Sequence, residues 1–155
     1  LKEPYDMLYI LAGSYQTVVG NIAQLSEQTN PRAPIILTPW VRTPALVGTA
    51  GTALPLMVMA SEYPSRYEEP AYDDFFKGFK TAFGYEPTSM SIGVYQSLEI
   101  LHEAFSKGFV TPSKVKSYLL QKKTFNTALG SIRFDEYGDR RTAFYYISDL
   151  TREFQ

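Results

Sequence analysis

The first sixty residues alternate between unbroken apolar runs and a segment of helical spacing. Residues 6–12 (DMLYILA) and 35–37 (IIL) are continuous apolar runs of the kind found in strands covered on both faces. Between them, after a break at Gly13 and Ser14, Val18, Ile22 and Leu25 recur at helical spacing until Asn30 and Pro31 end the pattern. Strand, helix and strand in this length predict a βαβ unit, whose crossover is almost always right-handed. Residues 41–55, rich in Thr, Pro, Gly and Ala, predict irregular chain with one short helical turn at 45–47. Residues 56–60 (LMVMA) predict a third strand, and 61–70 have no usable period and read as a crossover.

Three helices in a row then interrupt the alternation. Pro70 suits a first helical turn, and Tyr72, Phe75, Phe76, Phe79 and Phe83 recur on one face until Gly84 stops the helix. A second helix carries Val94, Leu98, Leu101 and Phe105 on one face and ends at Gly108. A third begins with Thr111 as N-cap and Pro112 in the first turn, with Val115, Tyr118 and Leu119 facing inward. Ile132 and Phe134 alternate with Ser131 and Arg133, residues 135–139 (DEYGD) form a turn, and 143–147 (AFYYI) are a last strand. The pattern predicts an α/β fold with a parallel sheet.

Composition narrows the partners. A chain of 155 residues with 45% hydrophobic and 20% charged side chains can bury a real core as one folded domain. Its 15 basic and 16 acidic groups give a net charge of -1, too little field to gather phosphates, so nucleic acid is not an expected partner. The apolar stretches fall far short of the roughly 20 residues of a spanning helix, so a membrane span is not expected. The chain begins at Leu1 without an initiator methionine, and any targeting segment is expected upstream of it.

Candidate chemistry is sparse. The absence of cysteine removes thiolate nucleophiles and thiolate metal sites, and a single histidine, His102 in mid-helix, makes a conventional zinc site improbable. A dinucleotide fingerprint starting at Gly13 needs glycine where Tyr15 and Val18 stand, no P-loop ending occurs, and no G-x-S-x-G elbow surrounds Ser14. The pairs Glu68/Glu69 and Asp73/Asp74 read as charges near a helix N-terminus, since adjacent helical residues do not face each other. The DEYGD turn lacks the alternating ligands and distal glutamate of a calcium loop. No cofactor, metal or enzymatic step is expected.

Four strings in order carry a resemblance. They are YDMLYILAGSY at 5–15, YDDFFKGFKTAFGYEP at 72–87, SIGVYQSLEILHEAF at 91–105, and GSIRFDEYGDRR at 130–141 followed by AFYYI. Together they resemble the leucine/isoleucine/valine-type periplasmic binding proteins, the type I solute receptors of ABC transporters. The resemblance implies a parallel-sheet, type I periplasmic-binding-protein-like lobe with βαβ units, plus helices of an incomplete first lobe. Residues 1–62 would be the second lobe, 63–70 a crossover, 71–139 the C-terminal part of the first lobe, and 140–155 a return strand of the second. The N-terminal part that builds most of the first lobe would be missing. It further implies a periplasmic or extracellular solute-binding component that captures a small, aromatic or carboxylate-bearing, amino-acid-like molecule without catalysis and hands it to an ABC permease. A ligand-sensing regulatory domain of the same fold is the first alternative, and an α/β enzyme ranks below it.

Open α/β sheets bind ligands outside the carboxyl ends of their strands, which directs attention to the turns after Ala12 and Leu37. Candidate ligand-binding residues there are Ser14, Tyr15, Thr38 and Trp40, with Arg42 as a fork of donors for a ligand carboxylate. In the resembled family the residue matching Tyr15 contacts ligand, and the one matching Trp40 is often an acid that pairs with an ammonium group. An indole offers a flat apolar or cation-π face and one N–H donor instead. The bland alternatives are a turn role for Tyr15, a core or interface role for Trp40, and a solvated surface role for Arg42. The apolar stripes of helices 71–121 require cover, either from a second chain in a homodimer or from the chain's own sheet.

Overall fold

The computed structural model describes residues 3–13, 15–141 and 145–154. Two compact units emerge, one from residues up to 89 together with those from 145 onward, the other from residues 90–144.

In the first unit β1 (Leu8–Ile10), β2 (Ile35–Leu37) and β3 (Met57–Ser61) pair in parallel, and β6 (Tyr146–Asp149) joins β3 antiparallel, in the order β1-β2-β3-β6. The expected parallel sheet is present, and the expected last strand is displaced toward the C-terminus. Ala143 and Phe144, the start of that expectation, lie outside the described residues. The crossover from β1 to β2 is α1 (Gln16–Thr29), and a second helix, α2 (Pro44–Ala50), follows β2. One sheet face, with Ile10, Ile35, Leu37, Met57 and Met59, packs with Val19 and Ala23 of α1 and Leu46 and Ala50 of α2.

The buried face of α1 is Val19, Gly20, Ala23 and Ser26, while Val18 and Leu25 are exposed. Of the three apolar residues at helical spacing, Ile22 packs partly buried against this core. Small side chains win because α1 and α2 approach closely: a Cβ added to Gly20 would stand 2.1 Å from Thr49 Oγ1 and 2.9 Å from its carbonyl carbon. Gln24 reinforces the contact by donating to the Thr49 carbonyl at 2.8 Å. The segment 44–50 is a full helix where one turn was expected, started by Pro44 and by the Thr43 hydroxyl, which accepts from the Leu46 N–H at 3.3 Å.

Helix α3 (Pro70–Phe83) ends in a left-handed Gly84, as its sequence predicts. Asp73, in its first turn, pairs with Lys77 and Arg66, and these partners, Lys77 foremost, hold its carboxyl below the usual range. Arg42 is neither solvated nor open to a ligand. Its guanidinium is buried, bonded to the Glu153 carboxylate at 3.0 Å and the Pro87 carbonyl at 3.1 Å, with the Phe76 and Phe154 rings 4.7 and 5.1 Å away. Glu153 ends α6 (Leu150–Glu153), which Asp149 caps by accepting from the Thr151 N–H.

The second unit contains most of α4 (Ser89–Ser106), then α5 (Pro112–Lys122) and an antiparallel hairpin of β4 (Thr124–Thr127) and β5 (Gly130–Arg133). Its core is Ile100, Ala104, Tyr118, Phe125 and Ile132. Tyr118 stacks on Phe109 at 4.5 Å and meets Phe125 edge-on at 5.7 Å. Helix α4 buries Ile92, Gln96, Ile100 and Ala104 and exposes Val94, Leu98 and Phe105, so the apolar stripe read from its sequence lies mainly on an outer face. The Gln96 amide donates to Thr127 Oγ1 and the Leu129 carbonyl, which fixes the helix on the hairpin. Beside it Glu103 accepts from Lys107, Lys122 and Tyr118, and these donors hold its carboxyl down to about 2. The DEYGD turn is closed by Asp135, which accepts from the N–H groups of Tyr137 and Asp139 at 2.9 Å.

Three outcomes are expected in urea unfolding. Gly20→Ala forces backbone atoms apart and should cost about 2 kcal/mol, whereas Gly78→Ala in open space on α3 should be neutral or stabilising; equal effects would refute the close α1–α2 approach. Arg42→Met strands the buried Glu153 carboxylate and should cost about 3–5 kcal/mol, most of it recovered by adding Glu153→Leu; a silent single variant would refute the clamp. Glu103 has a depressed carboxyl, so its contribution is complete above the ordinary carboxylate value and fades as pH falls toward about 2. Glu103→Gln should therefore cost about 1 kcal/mol at neutral pH, discounted for its partial exposure, and flatten the stability profile between pH 4.5 and 2.

Candidate functional site

Parallel pairing aligns the ends of the first two strands. Ile10 is opposite Leu37, the last residue of each strand, so both following turns leave the sheet at one edge. A partly buried hydrogen bond joins them, the Thr38 hydroxyl donating to the Ala12 carbonyl at 2.7 Å. Thr38 thus spends its proton on holding the two turns together, and its oxygen keeps acceptor capacity.

Each turn presents an aromatic ring. Trp40 sits in a single 3-10 turn, Pro39–Val41, that Pro39 starts and the buried Val41 anchors, and its indole is 64% exposed. Tyr15 is the N-cap residue of α1 and is 72% exposed. No side chain caps α1 among the described residues, and its first turn contains no acid. The leading N–H groups of α1 therefore favour negative charge close to Tyr15. Ser14, the neighbouring candidate, lies outside the described residues.

Of the residues singled out in the sequence, Tyr15, Thr38 and Trp40 come together on the adjoining turns at one sheet edge, and Arg42 does not join them. The chain reverses after Trp40 and drives Arg42 inward to Glu153, 111 positions away, a pairing with no local signature. His102 is exposed on α4, in the other unit. What the two turns can do is bind. Two flat rings, an indole N–H and a helix N-terminus suit a small planar or anionic molecule, and among the described residues of the two turns no nucleophile and base are set beside each other.

No protein-family model matches the chain, and no curated protein does. Solved structures do. A leucine binding protein, LivK, from Thermotoga maritima superposes with a TM-score of 0.72 at 22% identity, over 92% of this chain and 40% of its own. The branched-chain amino acid transporter substrate binding protein LivJ from Streptococcus pneumoniae, in complex with isoleucine, gives 0.71 at 15% identity, over 94% and 45%. An ABC-transporter solute binding protein from R. palustris in complex with benzoate gives 0.69 at 15% identity, over 94% and 40%. The chain thus spans about two-fifths of the length of these neighbours, all of which are binding proteins. Among the described residues no helix is long and apolar enough to cross a membrane. The chain has the fold of the type I periplasmic solute-binding proteins, the ABC-transporter receptors of leucine-binding type, and covers part of it.

Proposed function

We propose that the chain is part of an extracytoplasmic solute-binding component of an ABC transporter, and that the Tyr15 and Trp40 turns form its share of the ligand site. The carrying observation is the pair of exposed aromatics on turns joined by the Thr38 to Ala12 hydrogen bond, at the strand ends where open α/β sheets take ligands. Residues 1–62 and 140–155 are read as the second lobe, with 63–70 as crossover and 71–139 as the C-terminal part of the first. A permease is the partner in the whole protein, and the location is periplasmic or cell-surface.

Ligand class follows from what the site offers. Trp40 provides a flat face and no negative charge, so an ammonium group finds no counter-ion there, while the α1 N-terminus favours a carboxylate. An aromatic carboxylate fits both features. The neighbour that binds benzoate is consistent with this, and those that bind leucine or isoleucine show that the fold serves either class.

Trp40 is the single tryptophan, so its emission reports directly on the site. Titration with aromatic carboxylates such as benzoate should change that emission saturably, with leucine and valine binding more weakly. In calorimetry Trp40→Ala should weaken benzoate binding by more than about 1 kcal/mol, the loss of an aromatic anchor. Tighter binding of leucine than of benzoate, or an unchanged affinity in the variant, would contradict the assignment.

A further inference from the structure

Trp40 is carried by very little structure of its own. Its 3-10 turn is three residues long. The backbone bonds that close it, from the Val41 N–H to the Thr38 carbonyl at 3.4 Å and from the Arg42 N–H to the Pro39 carbonyl at 3.2 Å, are longer than the roughly 2.9–3.0 Å of an ordinary one. The indole stands mostly in solvent and adds little packing to hold the turn in place. What holds the turn lies at its ends: Thr38 is tied to Ala12 before it, and the buried Val41 and Arg42 follow Trp40.

The Arg42 clamp is built from distant parts of one compact unit. Nη1 donates to the Pro87 carbonyl beyond the end of α3, and Nη2 donates to Glu153 Oε2 on α6. Two bonds from one planar group to two different residues fix its direction as well as its position. Glu153 is in turn set by the sheet. Register places Asp149 of β6 opposite Val58 of β3, Asp149 caps α6 through the Thr151 N–H, and Leu150 is buried in the core. The other Glu153 oxygen, Oε1, is buried with no hydrogen-bond partner among the described residues, so the carboxylate relies on Arg42. A shift of the Arg42 side chain would leave a buried charge unpaired, and the clamp therefore favours a single arrangement of the chain two residues beyond Trp40.

We propose that Arg42 is a positioning residue for the ligand turn and that Glu153 acts through it, which makes the C-terminal helix part of what shapes the Trp40 site. This rests on the reading of the Tyr15 and Trp40 turns as the ligand site. Pinned by Thr38 at one end and by Arg42 at the other, the turn meets a ligand already ordered, and binding does not have to order it. Arg42 and Glu153 are both buried, so their effect reaches the ligand through the backbone of residues 39–42. By the reciprocity of coupled equilibria, a ligand that requires the ordered turn also tightens the docking of α6.

The test separates positioning from stability. Arg42→Met combined with Glu153→Leu replaces the clamp by an apolar pair that keeps most of the stability and neither directional bond. Arg42→Lys keeps a positive charge for Glu153 and gives up the planar two-point grip. In NMR relaxation of the ligand-free wild type, the amides of Trp40, Val41 and Arg42 should have order parameters of about 0.85, as rigid backbone does. In both variants those values should fall, below about 0.6 in the apolar pair, while those of α1 stay unchanged. In calorimetry the apolar pair should bind benzoate about tenfold more weakly than the wild type. Wild-type order parameters at 40–42 in a folded variant, values below about 0.6 in the wild type itself, or an unchanged benzoate affinity in a variant whose turn has loosened would each overturn the proposal. A wild type that does not bind benzoate, with the order parameters behaving as stated, supports the hold of the clamp on the turn and contradicts the ligand-site reading alone.

Discussion

The parallel pairing of β1 with β2 is the constraint on which the rest depends. Once Ile10 stands opposite Leu37, two things follow from strand geometry. The connection must cross over the sheet as α1, and the chain must leave both strands at the same edge. The Thr38 to Ala12 bond then fixes the two turns against each other at little cost, because both groups are at the sheet end and the carbonyl beyond the last ladder bond needs a donor. This pairing brings the turns of Tyr15 and Trp40 to the same end of the sheet, and the 3-10 turn and the α1 N-cap position then set each residue locally.

Around that frame the core is assembled by fit more than by bulk. In α1 and α4 several large apolar side chains stand on an outer face, and the faces turned inward mix Val19 with Gly20, Ala23 and Ser26 in one helix and Ile92 and Ile100 with Gln96 and Ala104 in the other. Gly20 permits the close approach to Thr49, where even a Cβ would stand 2.1 Å from the Thr49 hydroxyl. The buried Arg42 clamp has the same character. It joins the turn after β2, the segment after α3 and the last helix through one guanidinium, with two aromatic rings beside it in place of solvent.

These facts explain what could be read from the sequence. Strand identity came from unbroken apolar runs, and helix ends from Pro70, Gly84 and Pro112, all local signals that tertiary contacts had no reason to overrule. The extra length of α2 was legible too, since Thr43 with Pro44 is the same start signal as Thr111 with Pro112; Gly48 and Thr49 masked it by lowering helix propensity. Strand β4 offers a single inward residue, Phe125, and is defined by its partner β5. Periodicity locates an apolar stripe and does not say which face the tertiary fold will bury: in α5 the stripe holds the buried Tyr118, whereas in α4 Val94, Leu98 and Phe105 stay exposed. Tyr15, Thr38 and Trp40 were reachable because strand ends predict turn positions. The burial of Arg42 was not, as its partner is 111 residues away.

The central claim is that the turns after β1 and β2 receive the ligand, and a chemical-shift map of the chain tests it most directly. Addition of benzoate to the isotopically labelled protein should move amide signals of residues 12–15 and 38–41 saturably and leave those of α5 and the β4–β5 hairpin in place. Perturbations concentrated instead around Val115, Leu119 and Phe134, or none at saturating benzoate, would contradict it.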